Sequence, residues 1–212
     1  MKVNVMTSAT VSKTILPAHK FNEPIIVVKR EFLFKNGTWQ GIKQVDFTDY
    51  LALVQQHQES MLRGLAEENF EYKQIIPYLI FRHNNLYFLM QRKSSSSEQR
   101  LANKYSLGIG GHLRVEDLKG KTLFEWAERE FTEEVSYKGN LTITPLGILN
   151  LDTTPVEKVH IGFVLLLEGD SEDISIKSEL QSGKLATVEE CKKVDLEKWS
   201  ILVLDHLKTI NR

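Results

Sequence analysis

The chain has 212 residues, 42% of them hydrophobic and 26% charged, enough for one large domain with a substantial core or one domain plus an extension. Its 27 basic and 28 acidic side chains leave a net charge of −1, which excludes the global basic field that drives non-specific nucleic-acid binding. The lone Cys191 excludes an internal disulfide framework and a cysteine-based metal cluster, and neither a secretory signal core nor a bilayer-spanning apolar run is present, so a soluble cytoplasmic protein is expected.

The first predicted element is a β-hairpin over 25–43, in PIIVVKREFLFKNGTW, with Asn36-Gly37 as its turn dipeptide. DFTDYLALVQQHQESMLRGLAEE (46–68) then carries apolar residues at Phe47, Leu51, Val54 and Met61 or Leu62. That spacing predicts one long helix, capped by Asp46 or Thr48 and broken near Gly64. QIIPYLIFR (74–82) and NLYFLMQR (85–92) read as paired central strands joined by a turn at His83-Asn84-Asn85. The serine-rich stretch 92–104 reads as a solvated loop.

KYSLGIGGHL (104–113) has strand character ending in Gly110-Gly111, glycines that suit close backbone approach, positive φ or a plain turn. LTITPLGILNLD (141–152) and VHIGFVLLLEG (159–169) read as strands. SELQSGK (178–184) reads as a loop. Thr187 and Glu190 have capping-box spacing, and 195–210 is an amphipathic helix in which Trp199 is an anchor. The interspersed elements give an α+β class, a mixed-sheet α/β sandwich.

The segment LFEWAEREFTEEV (123–135) carries the chemistry. As a helix stepping about 100° per residue, it places Glu133 at about −60° and Glu134 at about +40° from Glu130. Leu123, Ala127, Phe131 and Val135 form the adjoining core stripe. Three carboxylates at the margin of a buried face repel one another where screening is weak, and Arg129 pairs with Glu133 at i+4 but cannot satisfy all three. A hard divalent cation with a preference for oxygen, Mg²⁺ or Mn²⁺, can. A lone RExxEE is ordinarily a solvated, salt-bridged surface, but here a Gly-Gly strand end and a loop precede it.

These residues resemble the box of the Nudix hydrolases, G-x5-E-x7-R-E-U-x-E-E-x-G-U with U a bulky apolar residue. Gly111 matches its opening glycine and Arg129-Glu130-Phe131-Thr132-Glu133-Glu134 its core. KYSLGIGGH and VHIGFVLLL look like a phosphoesterase-like subgroup of that family, and the resemblance covers residues 72–212. It implies a Nudix-type α/β/α sandwich at 71–212 preceded by a hairpin-and-helix extension at 1–70. It also implies metal-dependent cleavage of a diphosphate linkage in a nucleoside diphosphate derivative or related small molecule.

By position, Gly111, Glu130, Glu133 and Glu134 would hold Mg²⁺ or Mn²⁺, Glu133 doubling as proton acceptor, and Arg129 would orient a carboxylate. Glu179, ahead of Glu189, is the candidate general base. Arg92, Lys104 and His112 are the candidate substrate contacts, with His160 beside them. Trp126 reads as packing and Cys191 as structural. The extension could cap the substrate pocket, build a homodimer interface or only extend the sheet.

Three departures accompany the match. The loop from Gly111 to Arg129 is four residues longer than the pattern, Lys121 stands where the pattern has its first glutamate, and Ser136 replaces the later glycine. Glu116 or Asp117 is a candidate replacement for the missing carboxylate. Two alternatives follow: a Nudix-fold sensor that binds without hydrolysing, and an enzyme like isopentenyl-diphosphate isomerase. The isomerase needs a catalytic cysteine that LNLDTTP (149–155) lacks.

Overall fold

The computed structural model describes residues 18–92, 103–118, 122–177 and 180–210. In chain order these form α1 (Ala18–Phe21), β1 (Pro24–Lys29), α2 (Arg30–Leu33), β2 (Gly41–Lys43), α3 (Phe47–His57), β3 (Gln58–Leu62) and α4 (Arg63–Ala66). Then come β4 (Tyr72–His83), β5 (Leu86–Arg92), β6 (Tyr105–Ser106), β7 (Gly108–Gly110), a 3-10 turn (Val115–Leu118), α5 (Leu123–Glu134) and β8 (Val135–Tyr137). The chain closes with β9 (Leu141–Asn150), α6 (Pro155–Val159), β10 (His160–Gly169), β11 (Ile174–Ile176), β12 (Leu180–Ala186), α7 (Val188–Cys191) and α8 (Lys198–Ile210).

The main sheet runs β12-β5-β4-β10-β9-β2, with β1, β3, β6 and β7 joined to it off that path. Its central pair, β4 and β10, is parallel from His160 opposite Gln74 to Glu168 opposite Arg82. The neighbours outside that pair are antiparallel. A continuous apolar run suits a strand covered on both faces, and β10 shows why. Ile161, Phe163, Leu165 and Leu167 face a core shared with α3 and α5, while Val164 and Leu166 face a core shared with α8. Helices on both faces of a mixed sheet make the expected α/β/α sandwich. No helix among the described residues is long and apolar enough to cross a membrane.

Two N-terminal expectations are overturned. The hairpin over 25–43 does not form, because β1 pairs with β3 and β4 while β2 pairs with β9 on the opposite side of the sheet. Gly37 still turns the chain at φ 88°, but it joins α2 to β2 instead of two partnered strands. The long helix over 46–68 begins as expected, with the Asp46 carboxylate accepting from the Thr48 and Asp49 amides. It ends at His57, seven residues before Gly64, because Gln58–Leu62 instead pairs along β1, whose Ile25 and Val27 are fully buried. Strand pairing that covers apolar residues here outweighs local helix propensity.

A third correction lies near the C-terminus, where SELQSGK is not a loop throughout. Leu180–Ala186 is an edge strand paired with β5. The turn at Asn84, the capping box from Thr187 to Glu190 and the final helix follow the sequence reading, with α8 starting at Lys198.

Candidate active site

The site is assembled where β7 ends and α5 begins its return across the sheet. Thr122 caps α5 by accepting from the Glu125 amide at 3.2 Å, and the Glu125 carboxylate accepts from the Thr122 amide at 2.6 Å. That reciprocal box fixes the helix start. Leu123, Trp126, Ala127 and Phe131 are buried, so the helix has little rotational freedom and its carboxylate arc is set in place.

A buried polar network sets the opposing strand. The Tyr78 hydroxyl donates to Glu197 Oε1 at 2.5 Å, and Ser106 Oγ donates to the same oxygen at 2.6 Å. The Leu107 amide donates to Ser200 Oγ at 2.8 Å. These bonds pin β6 and β7 against α8. A Cβ on Gly108 would lie 2.1 Å from the Tyr78 ring, so only glycine lets the strand come this close. Leu113 continues the strap, donating to Ile75 at 3.3 Å and accepting from Ile26 at 2.7 Å.

Gly111 meets Glu130 across this junction, where a Cβ on the glycine would sit 2.8 Å from Glu130 Oε1. Burial, followed by repulsion from Glu133 and Glu134, raises the Glu130 carboxyl to about 7. Arg129 lies beside this group with both arms engaged: Nη1 donates to Glu133 Oε1 at 2.6 Å and Nη2 to Asp117 Oδ1 at 3.0 Å. Glu133 is exposed and Glu134 half-buried. Gly111 and Glu130 thus meet at this junction, and Glu133 and Glu134 lie near enough to Glu130 to repel its charge.

Other sequence candidates lie elsewhere or are differently engaged. Lys104 donates to Asp195 at 3.1 Å. Glu189 is exposed and accepts from Lys192 at 3.0 Å. Glu179, Lys121 and the Arg92 side chain lie outside the described residues. Asp117 is buried and accepts from the Arg114 amide at 2.9 Å as well as from Arg129, while Glu116 is exposed. Asp117 thus serves the arginines. Trp126 packs in the core and Trp199 meets the Tyr78 ring edge-on at 5.4 Å. Cys191 is buried, and burial first of all pushes its thiol up to about 11.

One grouping escaped the sequence reading. Glu67, His112 and His160 bring one donor atom each within 4.8 Å of one another. His112 Nε2 is 3.3 Å from His160 Nε2, and His160 Nε2 is 3.9 Å from Glu67 Oε1. Burial, then the Arg63 and His160 charges, hold the His112 ring well below the ordinary histidine pKa. The histidines are visible in the sequence as members of GGH and VHI, but Glu67 sits in an unremarkable EENF segment far from either.

No family model matches the chain. Protein YmaB of Bacillus subtilis (strain 168) is 34% identical over 207 residues, covering 89% of this chain and 99% of YmaB. Among solved structures, Tm1382, classed with the Nudix hydrolases, superposes with a TM-score of 0.74 at 31% identity, covering 89% of this chain and all of the other. The NUDIX domain of Shewanella oneidensis NrtR, crystallised with ADP ribose, matches at a TM-score of 0.54 and 10% identity over 66% of this chain and 89% of that domain. That second structure is similar in fold alone.

Proposed function

This chain belongs to the Nudix hydrolase family, and from that membership we propose that it cleaves a diphosphate linkage in a nucleoside diphosphate derivative or a related small molecule. The observation that carries the reading is Glu130, held against Gly111 with its carboxyl raised to about 7 by burial and by Glu133 and Glu134. Oxygen donors crowded in this way fit Mg²⁺ or Mn²⁺. Glu130, Glu133, Glu134 and the Gly111 carbonyl would hold the ion. When bound, such an ion neutralises phosphate charge and lowers the pKa of water.

The protein's own residues perform the positioning. Gly111, lacking a Cβ, lets the Glu130 carboxylate lie against the strand end. Arg129 steadies Glu133 and, through Asp117, ties the helix to the 3-10 turn, keeping the carboxylates in one orientation as a substrate approaches. Glu179 remains the proposed general base. Lys104 would have to exchange Asp195 for a phosphate before it could bind substrate.

The test is release of phosphate or nucleotide products from a panel of nucleoside diphosphate derivatives with Mg²⁺ or Mn²⁺, comparing wild type with Glu134→Gln. Turnover that requires the ion and falls at least about 100-fold in the variant is expected. Tight substrate binding without turnover in either protein would overturn the hydrolytic reading, and would trace to Lys121 at the position of the box's first glutamate.

A further inference from the structure

Glu67, His112 and His160 come from three separate parts of the fold. Glu67 caps the end of α4, His112 follows the Gly110-Gly111 strand end and His160 opens β10. The orientation of His160 is already determined. Its Nδ1 lies 2.7 Å from the Val156 carbonyl, so Nδ1 carries the hydrogen and donates it, which leaves the Nε2 lone pair directed at His112 and Glu67. A backbone carbonyl fixing one ring nitrogen is the usual support for a metal-binding histidine.

The spacing also suits an ion. Two ligand atoms at about 2.0–2.1 Å from a tetrahedral centre are about 3.3–3.4 Å apart. The two Nε2 atoms are 3.3 Å apart. Glu67 Oε1, at 3.9 Å from His160 Nε2, needs only a small side-chain adjustment to join them. Arg63 lies 3.7 Å from Glu67 but also 4.0 Å from Glu23, so a carboxylate remains beside the guanidinium if Glu67 turns to an ion.

We propose that Glu67, His112 and His160 form a second metal site, separate from the α5 carboxylates, that binds a borderline transition-metal ion of the Zn²⁺ or Co²⁺ class. Two imidazole nitrogens with one carboxylate favour such ions over Mg²⁺, which prefers oxygen and keeps its waters. Three protein ligands leave one position of a tetrahedral ion for water or an anion. The ion would tie the N-terminal segment to the turn that carries Gly111. The proposal does not depend on the hydrolytic activity.

The experiment is Co²⁺ titration of the chelator-treated, dialysed full chain, followed by visible absorption. The expected result is one equivalent of Co²⁺ with the intense bands of a four-coordinate ion, displaced by Zn²⁺ and unaffected by excess Mg²⁺. His112→Gln and Glu67→Gln should each weaken binding by at least about tenfold, whereas Glu130→Gln should retain it. Circular dichroism of the metal-free variants checks folding. If His160→Gln fails to fold, the other two substitutions decide. Absence of Co²⁺ binding, weak six-coordinate bands alone, binding that persists in both His112→Gln and Glu67→Gln, or binding lost in Glu130→Gln would each overturn the proposal.

Discussion

Gly108 and Gly111 each bring the backbone close to a side chain of another element, yet replacing them should have opposite consequences. A Cβ on Gly111 meets the movable end of Glu130 at 2.8 Å, so Gly111→Ala should fold normally while displacing that carboxylate. Activity at least about tenfold lower, with a melting temperature near wild type, is expected. A Cβ on Gly108 meets the Tyr78 ring at 2.1 Å, and that ring is fixed by its bond to buried Glu197. Gly108→Ala should therefore cost about 1–3 kcal/mol in denaturant unfolding. Full activity in Gly111→Ala would show that Glu130 need not sit against the strand. The sequence displayed Gly108, Gly110 and Gly111 but left close approach, positive φ and a turn equally open. Positive φ among the described glycines occurs at Gly37, Gly41 and Gly147, so close approach is the reason for Gly108 and Gly111.

Between elements, one fully buried tie is made by a residue without any chemical motif. Lys73 at the start of β4 is fully buried, and its three N–H groups are shared among four acceptors: the Leu151 carbonyl at 3.1 Å, Asp152 at 3.0 Å, the Glu157 carbonyl at 2.8 Å and the His160 carbonyl at 3.1 Å. It thus joins β4 to the end of β9, to α6 and to β10, while Arg30 of α2 grips the other side of Asp152 at 2.8 and 2.9 Å. Burial lowers the Lys73 pKa to about 8 even though Asp152 opposes the shift. Between about pH 8 and 10.5 the unfolded chain keeps a proton that the folded chain has released, so stability should rise with pH across that window. Asp152 works in the opposite range. Burial alone would raise its pKa, but bonds from Arg30 and Lys73 hold it at about 2, and its contribution is lost as pH falls from 3.8 through that value. Lys73→Met should destabilise by about 2–4 kcal/mol at neutral pH, since it strands carbonyls. It should also remove the rise between pH 8 and 10.5. An equal rise in the variant, measured by urea unfolding across that range, would assign the effect to another group.

At the scale of the whole molecule, the described residues ahead of position 71, 18–70, contribute strands to the same sheet as the rest. β1 pairs with β4 from Val27 opposite Gln74 to Lys29 opposite Tyr72, and Ile26, Val28, Phe47 and Val54 belong to the core that α5 completes. A boundary at residue 70, proposed as separating an extension from a catalytic unit, therefore predicts a dependent unit. A chain of residues 71–212 should lose at least about 4 kcal/mol of stability from lost apolar burial, lowering its thermal midpoint by about 10 °C or more. Light scattering of the same sample would reveal association through the uncovered edge of β4. A fragment that melts as cooperatively and as high as the full chain would make the N-terminal segment an accessory.

The box helix with its carboxylate arc and the strands at 74–82, 85–92 and 159–169 were legible in the residues, because each follows from a short-range pattern. The sandwich followed from their order and the family resemblance, whereas the central parallel pairing of β4 with β10 did not show. The apolar run of β10 and the stripe Leu123, Ala127, Phe131 and Val135 reflect periodicity over one or two turns, and the Thr187 cap reflects a spacing of three. The missed features depend on partners far apart in the chain. Gln58–Leu62 became a strand because β1 needed covering, and Lys73 is held by groups 78 to 87 positions away. Glu67 meets His112 and His160 for the same reason. Local preference is encoded residue by residue, but which buried edge or polar group must be satisfied is settled when the whole chain packs.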